Sequence, residues 1–225
     1  MDAIFPPLHD AHASTLADTA WGKLRHDIIT GVREPGERLR IDRLRQLYGI
    51  GASPLREALQ RLSTEGLVLA EGNRGFTVAP LDPEEFADLT RARVAIEREG
   101  LRLSLLQGDS AWEAEVVSAA YIMSKADKET RPGTDEWEKA NTAFHRVMVS
   151  ACDSVWLLRV RDGLHTLAER YRRASVESSG GARDLGAEHR EIADAVLRRD
   201  IESACALTAA HYGKTESELR SVRAG

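Results

Sequence analysis

The segment from Gly49 to Pro80 constrains this chain most: GIGASPLREALQRLSTEGLVLAEGNRGFTVAP. Gly49-Ile50-Gly51-Ala52 is a tight break. Ser53-Pro54 opens a helix, with Ser53 predicted as N-cap and Pro54 at the first helical position. Leu55, Leu59 and Leu62 face inward and Ala58 fills close quarters, whereas Arg56, Gln60 and Arg61 point elsewhere. Gly66 ends the helix. Leu67-Val68-Leu69 and Phe76-Thr77-Val78 are short β runs, and Glu71-Gly72-Asn73-Arg74-Gly75 between them is a hairpin tip.

Upstream, Thr19 can cap a helix that runs to about Thr30. Trp21, Leu24, Ile28 and Ile29 fall at i, i+3, i+7 and i+8, one apolar stripe. Gly31 is a stop signal and Pro35-Gly36 a turn. Leu39, Ile41, Leu44 and Leu47 line a second helix over roughly 41–48. Three helices followed by a hairpin make a winged helix-turn-helix over residues 19–80, preceded by an arm, 1–18, expected to be flexible. The start of its third helix suits a DNA major groove, where Ser53, Pro54, Arg56 and Gln60 would meet phosphates or base edges. Free N–H groups at that helix start favour phosphate oxygens. Asn73, Arg74 and Gly75 on the tip would reach the neighbouring minor groove, and Arg40 a phosphate.

Charge supports this reading only locally. The chain carries a net −5, yet residues 1–80 balance ten Lys/Arg against ten Asp/Glu. Between 33 and 61 there are seven Arg and four acids, enough for a basic surface on a neutral domain. Two distant cysteines, Cys152 and Cys205, argue against a disulfide framework and for a reducing cytoplasm. No apolar run approaches the roughly 20 residues of a membrane helix.

Beyond Pro83 the pattern is helical throughout. Helices are expected over 83–107, 111–127, 134–151, 154–176, 184–198 and 200–219, with KETRPGTD as a loop and a break at Ser178-Ser179-Gly180-Gly181. An antiparallel bundle over 83–221 is the economical architecture, so the fold class is mainly α. Asn141 and His145 lie four apart on one helix and share a face, with His189 and His211 on later helices. A bundle can gather such positions, and imidazoles from three helices suit Zn²⁺ or Ni²⁺. Taken alone, they read more simply as surface residues or hydrogen-bonded core groups.

The N-terminal part resembles the GntR family of bacterial transcription regulators. The resemblance lies in Pro35-Gly36-Glu37-Arg38-Leu39, Pro54-Leu55-Arg56-Glu57-Ala58-Leu59, Glu65-Gly66-Leu67-Val68 and Arg74-Gly75-Phe76-Thr77-Val78. Where the family usually shows Ser-Arg-Thr before Pro-Leu-Arg, this chain has Gly51-Ala52-Ser53, which removes one expected DNA contact. The C-terminal part looks like the FCD effector domain of the family's FadR-type branch. Arg93 with Ile96-Glu97, Phe144-His145, Glu188-His189-Arg190 and His211 carry that likeness. It implies a divalent metal at Asn141, His145, His189 and His211, a carboxylate effector beside it and Arg93 facing that effector. The position held by Asn141 is usually Asp, so the resemblance also implies weaker metal binding here.

Asp135-Glu136-Trp137 and Leu167-Ala168-Glu169-Arg170-Tyr171-Arg172 resemble a subgroup of repressors of glutarate and 4-aminobutyrate breakdown, which would make a short dicarboxylate the effector. The expected function is that of a cytoplasmic homodimeric repressor, not an enzyme, bound to a double-stranded DNA operator. The competing reading is a metal-dependent enzyme acting on a small organic acid. The chain has no HExxH, phosphate loop or nucleophile motif to support it.

Overall fold

In the computed structural model, residues 15–72, 75–179 and 183–223 are described. The chain divides into two units, Met1–Pro80 and Leu81–Gly225. The first holds α1 (Leu16–Ile29), β1 (Arg38–Leu39), α2 (Ile41–Tyr48), α3 (Ala52–Thr64), β2 (Val68–Ala70) and β3 (Phe76–Val78). Its three strands form an antiparallel sheet in the order β1-β3-β2, with Leu39 opposite Phe76 and Val68 opposite Val78. β1 is absent from the sequence expectation, because two residues carry no alternation to read.

Two helix starts differ from expectation. α1 begins at Leu16, so residues 16–18 belong to the helix and not to an arm. Its cap is Thr15, not Thr19. Thr15 and Asp18 form a reciprocal capping box, which satisfies two otherwise free N–H groups. α3 begins at Ala52 with Gly51 as N-cap, so Ser53 is not the cap and Pro54 is the third helical residue. Proline is tolerated there because first-turn N–H groups have no intrahelical partner anyway.

Leu24 and Ile28 of α1 and Leu55, Leu59 and Leu62 of α3 are buried, as their spacing predicts. On α2 only Leu44 is buried, and Leu47 is 54% exposed. Trp21 donates to Glu65 (2.7 Å), and Arg61 stacks on the Trp21 ring at 3.8 Å while pairing with Asp18. Those contacts tie α1 to α3.

Among the described residues the second unit holds six helices: α4 (Pro83–Gln107), α5 (Ser110–Glu129), α6 (Asp135–Met148), α7 (Val155–Ser179), α8 (Leu185–Leu197) and α9 (Ile201–Arg223). Carboxylate caps start three of them: Asp82 for α4, Asp109 for α5 and Asp184 for α8. The core packs Leu101, Val116, Met123, Trp137, Phe144, Ile192 and Val196 together. Fully burying a side chain of this size is worth about 1.5–3 kcal/mol. Beside this apolar mass lies a polar layer built on α4, α6, α7 and α9. Arg161 pairs with Glu97 (3.1 Å) and Arg172 with Glu138 (2.5 Å), all four side chains being buried. These pairs join α7 to α4 and to α6, the helix that carries Asn141 and His145.

Candidate functional site

Ser53, Arg56 and Gln60 sit at i, i+3 and i+7 of α3 and all are exposed on one face. The opposite face, Leu55, Ala58, Leu59 and Leu62, is buried against the unit's core. No side chain caps the start of α3, which leaves its first N–H groups for an external acceptor. Arg40, at the start of α2, is exposed. Among the described residues Arg40, Arg43 and Arg56 form no ion pair, whereas Arg33, Arg45 and Arg61 are held by Glu37, Asp42 and Asp18. Gly75 adopts φ +101°, a conformation that L side chains rarely enter. Asn73 and Arg74 lie outside the described residues.

In the second unit the three histidines meet. One ligand atom from each of His145, His189 and His211 lies within 4.8 Å of the others, and all three rings are buried. α6, α8 and α9 each supply one. The Nδ1 atoms face outward to fixed partners. His145 Nδ1 meets the Tyr212 hydroxyl at 3.1 Å, His189 Nδ1 meets Asp127 Oδ2 at 2.8 Å, and His211 Nδ1 meets Glu188 Oε2 at 2.8 Å. A carboxylate can only accept here, so each favours the tautomer with the proton on Nδ1 and Nε2 turned to the cluster, although Arg183 Nη2 also lies 3.2 Å from His211 Nδ1.

Inside the cluster, His145 Nε2, His189 Nε2 and Asn141 Oδ1 are buried and have no hydrogen-bond partner. Each such orphan costs about 1–3 kcal/mol. Imidazole nitrogens and an amide oxygen, all buried and unsatisfied, are a donor set compatible with a divalent cation. Burial pushes His145 well below the usual imidazole range, and His211 and His189 beside it add to the effect. Burial likewise holds His211 down at about 3, although Glu188 opposes it. Both rings are therefore neutral near pH 7, the form a metal requires.

Beside the cluster is a narrow cavity of about 10 Å³, lined by Phe86, Arg93, Asn141, His145, Arg172 and Tyr212 among others. Arg93 is 4% exposed. Its Nη2 lies 3.0 Å from His165 Nδ1, its Nε 3.5 Å from Glu97, and its guanidinium 3.8 Å over the Tyr212 ring. The helix-face pair with Glu97 and the cavity-facing position thus coexist. Arg93 Nε still has no hydrogen-bond partner. Arg172 also borders the cavity, but Glu138 accepts from both its Nε and Nη2.

Asp127 and His165 are not among the candidates that the sequence offers. Each makes its contact across more than 60 residues, and nothing in KADKE or GLHTL marks the partner. Glu188 is different. It precedes His189, so it belongs to a motif, but its partner in space is His211.

Two family models cover most of the chain. The one described as "Bacterial regulatory proteins, gntR family" matches residues 16–78, and "FCD domain" matches residues 88–214. The HTH-type transcriptional regulator BphR of Paraburkholderia xenovorans is 36% identical over 221 residues, covering 96% of this chain and 89% of that protein. The HTH-type transcriptional repressor GlaR of Escherichia coli is 36% identical over 194 residues, covering 84% and 88%. Among solved structures, E. coli McbR/YncC superposes with a TM-score of 0.74 at 18% identity, covering 93% of this chain and 99% of that one. A GntR regulator from Rhodococcus gives 0.72 at 23%, covering 91% and 97%. At those identities the two structures establish the fold alone. These relatives are regulators, not enzymes, and no helix among the described residues is long and apolar enough to cross a membrane. The winged N-terminal unit, the helical C-terminal unit and the two matched families agree: this chain belongs to the GntR family of transcriptional regulators, in the branch that carries an FCD domain.

Proposed function

We propose that this chain is a repressor that binds an inverted-repeat DNA operator as a homodimer. A small carboxylate, most simply a short dicarboxylate, releases it by entering the cavity beside a divalent ion of the Zn or Ni class. The observation that carries the effector half is the set of buried polar atoms without partners: Asn141 Oδ1, His145 Nε2, His189 Nε2 and Arg93 Nε. The first three would together cost on the order of 3–9 kcal/mol if left permanently unmet, and Arg93 Nε has only the Glu97 carboxylate at 3.5 Å. A cation among the first three and an anion at the fourth would satisfy them together.

Asn141, His145, His189 and His211 would hold the ion, which would supply a positive centre for one carboxylate. Arg93 would donate to an anion, since a guanidinium matches a carboxylate in shape and charge. The cavity admits about one water molecule as it stands. An acid must therefore part α4 from α9, the helices that carry Arg93 and Tyr212. That displacement is the physical link between effector and DNA.

On the DNA side, Ser53, Pro54, Arg56 and Gln60 would enter the major groove, with Arg40 on phosphate. Asn73, Arg74 and Gly75 would reach the minor groove from the tip. Exposed Trp156 and Val160 share one face of α7. Gly163 on the next turn, with nothing within 4 Å of where a Cβ would stand, would let a second copy approach closely. Both support self-association. The relative named a repressor supports repression here.

Selection from a random pool of duplexes by the purified protein tests the DNA half. Enrichment of two half-sites in inverted orientation is expected. A lone half-site, or no enrichment, would overturn the dimeric reader.

A further inference from the structure

The carboxylates behind the imidazoles differ in one respect. Glu188 is already neutralised: it accepts from Arg183 at 2.9 and 2.5 Å and from Lys214 at 3.0 Å, besides His211. These partners outweigh burial and hold its carboxyl well below the usual range. Asp127, on α5, has a 5% exposed side chain, and its hydrogen-bond donors are ring N–H groups. Trp137 Nε1–H donates to Oδ1 at 2.9 Å, and His189 Nδ1–H to Oδ2 at 2.8 Å. No Lys or Arg among the described residues pairs with it. A buried carboxylate without a cation is costly unless something positive comes close.

The donor set itself is neutral: three imidazoles and the Asn141 amide. A divalent ion there would keep its full charge in a medium of low dielectric. We infer that Asp127 is a positioning residue that supplies, one layer out and through the His189 ring, the negative charge that Asn141 leaves out of the first layer. Its hydrogen bond fixes the His189 tautomer with Nε2 bare and makes that nitrogen a stronger donor. This inference rests on the metal reading of the cluster. It separates Asp127 from Glu188, which orients His211 but adds little net charge.

The test uses the full chain, stripped with a chelator and then titrated with Zn²⁺ against a chromophoric zinc chelator. Asp127→Asn should weaken zinc binding about 10–100-fold, and Glu188→Gln clearly less. Asn141→Asp added to Asp127→Asn should recover most of the loss, which a merely structural defect would not allow. Equal affinity of Asp127→Asn and wild type would overturn the inference. So would a loss in Glu188→Gln as large, or no recovery in the double variant. A wild-type chain that takes up no zinc would remove the metal reading and this inference together. A reading that needs no variant is the ¹⁵N spectrum of the histidines in the unaltered protein. His189 should carry its proton on Nδ1, and a proton on Nε2 would contradict the proposal.

Discussion

On α3 the polar groups stand in water. Ser53, Arg56 and Gln60 are exposed on one face, and Arg56 forms no ion pair. In the bundle Arg93, Asn141, His145 and His189 are buried, each with one polar atom that has no hydrogen-bond partner. The contrast is one of work. Exposed cations act on a polyanion at a distance, are screened by salt, and cost nothing while idle. Buried donors without partners cost stability until a ligand arrives, so their occupancy can shift the packing of the helices that hold them. On the proposed function, one unit binds and the other responds.

His189→Ala should break the contrast most severely. Zinc affinity is expected to fall by at least about 100-fold. DNA binding without an acid should be unchanged, and release by an acid should disappear. Normal release by that variant would show that the cluster is not the responding site. Arg56→Ala sharpens the other side. It should cost about 1–3 kcal/mol of operator affinity while the melting temperature and zinc uptake stay where they are. Unchanged affinity would show that α3 does not lie in the groove. Arg40→Ala should do less, lowering the salt dependence of binding by about one phosphate contact without changing sequence preference.

A fourth expectation concerns acid. His145 and His211 are held neutral by burial, below the ordinary value of 6.5. In the unfolded chain they take up protons from about pH 6.5 downward, and the folded chain does not. Stability of the metal-free protein should therefore fall as pH drops below about 6.5, by up to about 1.4 kcal/mol per pH unit for each. For His211 the loss ends near its folded value of about 3. Chemical denaturation between pH 7 and pH 5 reads this directly. A flat profile would mean that the rings are not buried neutral.

The two units also differ in how much of them is legible in the sequence. The α3 face follows from the spacing of Leu55, Leu59 and Leu62, because a helix turns local order into direction. The error at its start is also local. Ser53 is the better N-cap by type, but Gly51, in ordinary extended backbone, takes the place, and the turn of the break is made by Gly49 at φ +68°. The gathering of His145, His189 and His211 is different. It depends on how α6, α8 and α9 pack, and only the family likeness brought the three together in advance. Asp127 escapes even that, since its partner is 62 residues away and its role shows only in its burial and lack of a cation.

On the proposed function, one acid acts through the bundle on DNA held by the winged domain. Fluorescence anisotropy on the selected duplex tests it most directly, with zinc-loaded and zinc-stripped protein titrated with short dicarboxylates. Tight binding that an acid reverses is expected in the zinc-loaded protein, with a much weaker response after stripping. Equal release with and without zinc, or no release by any acid, would contradict it.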